Sequence, residues 1–193
     1  MIRTRVGYAG GTTASPTYRN IGDHSETIQI DYDPGIISYE ELLNVFWDSH
    51  SPTMQPWSRQ YRSIIFYNSD KQRQLALATK QREEAKLECA VLTEIVPFSV
   101  FYLAEDYHQK YYLQQIGQLM RELNTVYPDV SDFIDSTAVA RINGLVGGYG
   151  CLESLEERIS SFGLPSAINT RLREIGHKRL PAVSCSMGLC GGV

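Results

Sequence analysis

The segment Glu26-Thr27-Ile28-Gln29-Ile30-Asp31-Tyr32 alternates strictly. Ile28, Ile30 and Tyr32 fall on one side and Thr27, Gln29 and Asp31 on the other, the pattern of a half-buried β-strand. Shortly after it, Ser38 and Glu41 form a capping-box pair ahead of Leu42, Leu43, Phe46 and Trp47. That pairing predicts a helix from Tyr39 to about Ser49 whose apolar side packs on a sheet. Toward the N-terminus, Arg3 to Tyr8 is a second alternating segment and the natural partner of the first, closed by Ala9-Gly10-Gly11 in a turn or close backbone approach. Between the two strands, residues 12 to 23 have no period and read as a long loop of the kind that presents chemistry.

In the other direction, Tyr61 to Tyr67 reads as a strand. Asn68-Ser69-Asp70 caps a polar-faced helix reaching about Glu88, and Val91 to Phe101 reads as a strand interrupted at Pro97. The order strand, strand, helix, strand, helix, strand predicts an α/β (α+β) two-layer sandwich, a ferredoxin-like mixed sheet with covering helices. After Glu105 to Tyr112 the pattern becomes helical to roughly Leu123 and is interrupted at Pro128, and further helices are expected over Ser131–Leu145, Leu152–Phe162 and Ala167–Ile175. The expected organisation is a main domain over 1–125, a helical annex over 126–180 that packs on that domain or binds a partner, and a flexible cysteine-containing tail over 181–193.

With 193 residues, 42% hydrophobic and 21% charged, the chain has ordinary globular composition. Eighteen basic against twenty-two acidic residues give a net charge of -4, which argues against nucleic acid as a partner. Arg3, Arg5, Arg59 and Arg62 are the candidates for a local basic spot. No apolar run is long enough to span a membrane, and the start Met1-Ile2-Arg3-Thr4-Arg5 lacks the apolar stretch of a signal peptide; a cytoplasmic location is expected. Gly7, Gly10 and Gly11 lack the spacing of a nucleotide-binding loop, so no cofactor is expected. The four cysteines, Cys89, Cys151, Cys185 and Cys190, are too few and too dispersed for a secreted disulfide framework. Cys89 sits in a helical pattern as a small buried hydrophobe. Cys185 and Cys190 lie in the tail, either as a redox pair or as inert thiols, and their spacing does not suit zinc.

Candidate chemistry concentrates at Tyr18, at Asp23, His24 and Glu26, at Gln60, Tyr61 and Arg62, and at Glu105 to His108. A partly buried Glu26 at a strand start beside a long loop would hold a proton for transfer, whereas the plain reading is a solvated strand end. Tyr18 and Tyr61 are hydroxyl donors to a polar oxygen or, more simply, partial core. His24 and His108 read as structural hydrogen-bonders, and the scattered carboxylates make a weak metal case.

Taken together, Arg5-Val6-Gly7-Tyr8-Ala9-Gly10-Gly11, Pro16-Thr17-Tyr18, His24-x-Glu26, Tyr32-Asp33-Pro34, Gln60-Tyr61-Arg62-Ser63 and Glu105-Asp106-Tyr107-His108-Gln109 resemble the peptide methionine sulfoxide reductase A family, in order and approximate spacing. The resemblance implies thiol-dependent reduction of methionine-S-sulfoxide, free or in peptides and proteins, a repair of oxidative damage with thioredoxin as the reductant. It implies that Glu26 protonates the sulfoxide oxygen and that Tyr18 and Tyr61 hydrogen-bond it. The family's nucleophile lies in a Gly-Cys-Phe-Trp-Gly motif upstream of the segment resembling Arg5 to Gly11; this chain is expected to be N-terminally short and to lack it, together with the aromatic pair that cradles the substrate methyl group. Pro56 and Ser58 stand where the family has an aspartate and a glycine, and Trp57 between them offers apolar surface instead. Cys151, at an expected helix start where amides and dipole lower a thiol pKa, is a substitute nucleophile or a packed residue. Cys185 resembles the family's C-terminal resolving cysteine, with Cys190 a second. The alternatives are a non-catalytic derivative that binds methionine sulfoxide or a protein partner, and a truncated product.

Overall fold

The computed structural model describes residues 2–182. By its internal contacts the chain divides into two compact units, one formed by Val6–Glu105 and the other by Ile2–Arg5 together with the chain from Asp106 onward. The fold is mixed α/β, with small sheets covered by helices and additional C-terminal helices.

In the first unit, β1 (Arg3–Ala9) lies between β2 (Ser25–Asp31) and β5 (Phe101–Leu103). β1 and β5 run antiparallel with Gly7 opposite Leu103 and Ala9 opposite Phe101. A separate parallel pair joins β3 (Ile64–Tyr67) to β4 (Glu94–Pro97), with Ile65 opposite Ile95. The expected strand over 91–101 is thus two strands on two different ladders. Pro97 is the last residue of the first; the Glu94 and Phe98 amides on either side donate to the Ser63 and Tyr67 carbonyls at 3.0 and 2.9 Å, so the N–H that proline lacks falls on the side of β4 away from β3.

Helix α1 (Tyr39–Asp48) begins at the expected capping box: Ser38 Oγ accepts from the Glu41 amide, and the Glu41 side chain accepts from the Ser38 amide at 2.7 Å. Leu43 and Trp47 are its fully buried residues, while Leu42 and Phe46 are only half-buried. With Ile65, Ala76 of α2 (Asp70–Leu87) and Val91, they make the core beneath β3. Ser69 caps α2 by accepting from the Gln72 amide. That helix stops at Glu88, which takes a left-handed conformation with φ 52°, so Cys89 lies past the helix end and is exposed. The expectation of a buried helical Cys89 is overturned by this early stop.

The second unit is helical after the start of β1: α3 (Tyr111–Gln114), α4 (Gly117–Val126), α5 (Val130–Asp135), α6 (Thr137–Val146), α7 (Leu152–Ile159) and α8 (Ser166–Arg179). Leu119, Leu123, Ile142, Leu155, Ile159 and Leu172 are among its most deeply buried side chains. The single helix expected over 131–145 is broken at Ser136, which ends α5 and caps α6 by accepting from the Val139 amide at 3.2 Å. Asp135 draws in Arg3 at 2.6 Å and Arg5 at 3.8 Å, and buried Lys110 donates to the Thr4 carbonyl. No helix among the described residues is long and apolar enough to cross a membrane.

Candidate functional site

The long loop between β1 and β2 is held by two neighbouring residues. The Asp23 carboxylate accepts from the amides of Thr12 and Thr13 at 2.8–3.0 Å and from both threonine hydroxyls at 3.0 and 2.8 Å. These donors, the Thr13 amide foremost, hold its carboxyl well below the usual range. His24 is 0% exposed. Its Nδ1 accepts from the Gly11 amide at 3.1 Å, so its Nε2, 2.8 Å from the Thr13 carbonyl, must carry the hydrogen. One tautomer satisfies both contacts, which makes His24 a structural residue, as its sequence setting suggested.

Further along the loop, the Tyr18 amide donates to Glu105 Oε1 at 3.0 Å, and Tyr8 donates its hydroxyl to Oε2 at 2.7 Å. One carboxylate from beyond β5 thereby ties the loop to β1 and delivers the Tyr18 side chain.

Tyr61 arrives from the other side. The strand expected from Tyr61 starts only at Ile64, because Arg59–Tyr61 winds into a single 3-10 turn. Arg62 anchors that turn to the head of β2, its Nε donating to Ser25 Oγ at 2.8 Å while Ser25 donates to the Arg59 carbonyl at 3.1 Å. Arg62 also pairs with Glu94 at 3.4 Å.

The turn presents Gln60, whose Nε2 donates to Glu26 Oε1 at 2.6 Å and to the Tyr61 hydroxyl at 3.1 Å. Tyr61 is also hydrogen-bonded to Tyr18; loss of water around it, then the charge of Glu26, raises its pKa. Trp57 stacks on the Tyr61 ring, centroids 4.6 Å apart and planes at 29°. Tyr18, Glu26 and Tyr61 are therefore brought together. Glu26 is exposed rather than partly buried.

Glu26 and Tyr61 stand at a cavity of about 490 Å³. Consecutive residues line it from 26 to 30 and from 61 to 66. Because neighbouring residues of a strand point to opposite faces, such lining places the cavity along the edges of β2 and β3. Leu42 and Phe46 supply much of its apolar wall, and Tyr39 lines it with a hydroxyl that burial pushes up to about 12. His50, also on the wall, is taken up internally by the Phe46 carbonyl at 2.8 Å and Ser63 at 2.9 Å. The arrangement can grip one ligand oxygen with an acid and two phenols while an apolar arm enters the cavity.

Cys151 occupies the N-cap position of α7 in the second unit, with no capping hydrogen bond from its side chain, and is buried. Cys185 and Cys190 lie outside the described residues. Among the described residues no cysteine lines the cavity and no group of side chains could hold a metal ion. The roles of Gln60 as hub and Glu105 as clamp were not foreseen; the only signal in the sequence was their presence in the polar clusters at 60–62 and 105–108.

A family model described as peptide methionine sulfoxide reductase matches residues 1–137. The chain is 41% identical over 166 residues to the peptide methionine sulfoxide reductase of Drosophila melanogaster, covering 85% of this chain and 66% of that one. It is 40% identical over 167 residues to peptide methionine sulfoxide reductase A5 of Oryza sativa subsp. japonica, covering 83% and 65%. It thus spans just under two thirds of the length of these relatives. The crystal structure of Mxr1 from Saccharomyces cerevisiae in reduced form superposes with a TM-score of 0.55 at 31% identity, over 60% of this chain and 71% of that one. The chain belongs to the peptide methionine sulfoxide reductase family.

Proposed function

We propose that this chain binds methionine-S-sulfoxide in peptides and proteins and activates its oxygen for reduction by a thiol. The supporting observation is the cluster in which Gln60 joins Glu26 to Tyr61 and Tyr61 meets Tyr18 at the mouth of an apolar cavity. Sulfoxide oxygen is a strong acceptor, and its sulfur carries one methyl and one methylene arm. In this reading Tyr18 and Tyr61 donate to the oxygen, Glu26 in its acid form transfers a proton to it, and the apolar arm occupies the cavity. Charge developing on the oxygen is then met by donors already in place. A thiolate attacks the sulfur and the protonated oxygen leaves as water; water then attacks the cysteine sulfur, the new sulfur–sulfur bond breaks to release the thioether, and the cysteine, oxidised by two electrons, is left as a sulfenic acid. A second thiol condenses with the sulfenic acid to a disulfide and water, and thioredoxin, the proposed reductant, returns the thiols. Cys185 and Cys190 are the proposed resolving thiols and Cys151 the substitute attacking thiol. The reducing cytoplasm is the proposed setting.

Calorimetric titration with N-acetyl-methionine-S-sulfoxide methylamide and with its thioether counterpart tests the binding step. The sulfoxide is expected to bind and the thioether to bind more weakly, with Tyr61→Phe narrowing the difference. Equal binding of the two, or binding of neither, would overturn the proposal. A second reading, sulfoxide binding without turnover, is favoured by the burial of Cys151. Thioredoxin-coupled turnover of a methionine-S-sulfoxide peptide, with mass spectrometry of the thiols, separates the two readings.

A further inference from the structure

Trp57 is 83% exposed, an unusual state for the largest apolar side chain, yet it is not loose. Its ring is stacked at 4.6 Å on Tyr61, whose hydroxyl belongs to the oxygen-binding cluster. Trp57 does not line the cavity, whereas Tyr61 and Glu26 do. One ring therefore marks the boundary: on its cavity side a sulfoxide side chain is received, and on its outer side lies a fixed aromatic plane open to solvent. A ligand portion that reaches Trp57 cannot be the part inside the cavity. It is the polypeptide next to the sulfoxide.

We propose that Trp57 is a specificity subsite that packs against an apolar or aromatic residue flanking methionine sulfoxide in a peptide substrate. The inference rests on the sulfoxide-binding reading of the Glu26–Gln60–Tyr61 cluster. Tyr61 already holds the ring in place, so little side-chain freedom is lost on contact, and a pre-positioned tryptophan is the kind of anchor that dominates peptide recognition. Met54, also exposed in the same loop, extends the apolar character of the segment. A free amino acid does not reach this plane, so the subsite separates peptide from free methionine sulfoxide.

The test uses the full chain and two short blocked peptides carrying methionine-S-sulfoxide, one with phenylalanine beside it and one with serine, titrated by calorimetry alongside N-acetyl-methionine-S-sulfoxide methylamide. The phenylalanine peptide is expected to bind roughly two- to tenfold more tightly than the serine peptide, the range that an aromatic contact supplies. Trp57→Ser is expected to erase that preference while leaving affinity for the blocked amino acid unchanged, and Trp57→Phe to restore much of it. Because Trp47 is buried and these are the two tryptophans of the chain, a blue shift of the solvent-exposed component of emission on adding the phenylalanine peptide reports coverage of Trp57 directly. Wild-type binding without preference, or a preference that survives Trp57→Ser, would overturn the subsite and leave the sulfoxide reading intact. No binding of any of the three ligands would overturn both.

Discussion

Gln60 carries two hydrogens on one amide nitrogen, and the structure uses one toward Glu26 and the other toward Tyr61. An acid and a phenol are thereby held at a fixed separation by a residue with no acid–base chemistry of its own. Where turnover is present, Glu26→Gln is expected to lower it by about a hundredfold while leaving sulfoxide binding nearly unchanged, since an amide can still hydrogen-bond but cannot give up a proton of carboxylic acidity; unchanged turnover would remove Glu26 as the acid. The loop clamp yields a prediction of a different kind. Asp23 has its folded pKa below the unfolded value. Its contribution to stability is therefore complete above the unfolded carboxylate value near pH 4 and is lost as pH falls through the folded one. Urea midpoints of wild type and Asp23→Asn are expected to differ by a constant amount at neutral pH and to converge as pH drops below about 4. A gap that persists unchanged into strong acid would show that the Asp23 charge does not hold the loop.

At the level of elements, β1 and β5 approach unusually closely at Gly7. A Cβ built there would lie 2.2 Å from the Tyr102 carbonyl oxygen and 2.5 Å from the Phe101 ring. The obstacle includes backbone within the pairing itself, so it cannot swing aside. Gly7→Ala is expected to cost roughly 1–3 kcal/mol in chemical denaturation, the range for overpacking a tight contact; a neutral result would mean that the two strands separate easily. The strands and α1 were legible in the sequence because their information is local: alternation over Glu26–Tyr32, and a serine and a glutamate placed to close a helix end. Features set by distant partners were not. Nothing near Arg59 announces a 3-10 turn, since the anchor is Ser25 on another strand. Similarly, 91–101 reads as one interrupted strand until β3 claims its first part and β1 its last. The site shows the same division. Tyr18, Glu26 and Tyr61 are conspicuous one at a time, but their meeting depends on Glu105 gripping a backbone amide 87 residues away, a contact with no local signature.

At the scale of the molecule, the strands fall into a three-stranded and a two-stranded ladder, and β2 and β3 are edge strands of their respective sheets. Both edges line the same cavity, with residues of alternating orientation contributing in sequence. Their outward backbone groups therefore border an apolar slot instead of a charged or covered margin. Natural sheets guard such edges with lysine, proline or bulges, but the lining run Thr27-Ile28-Gln29-Ile30 and its counterpart Ile64-Ile65-Phe66 contain none of these. Two unguarded edges facing one slot invite a further strand, and in a solution of this chain alone the available strands belong to other copies. Weight-average mass by sedimentation equilibrium is therefore expected to rise with concentration between about 1 and 100 µM, the range in which exposed edges and apolar surface drive association. Ile28, 56% exposed and on the slot, is the position at which to oppose this. Ile28→Lys places a charge that pairing would have to bury, and it is expected to hold the mass near that of the monomer across the same range. The substitution costs little in the folded chain because the side chain is already half in water. Constant monomer mass for the wild type would mean that the edges are satisfied within the chain. An equal rise for both proteins would place the association surface elsewhere than at the β2 edge.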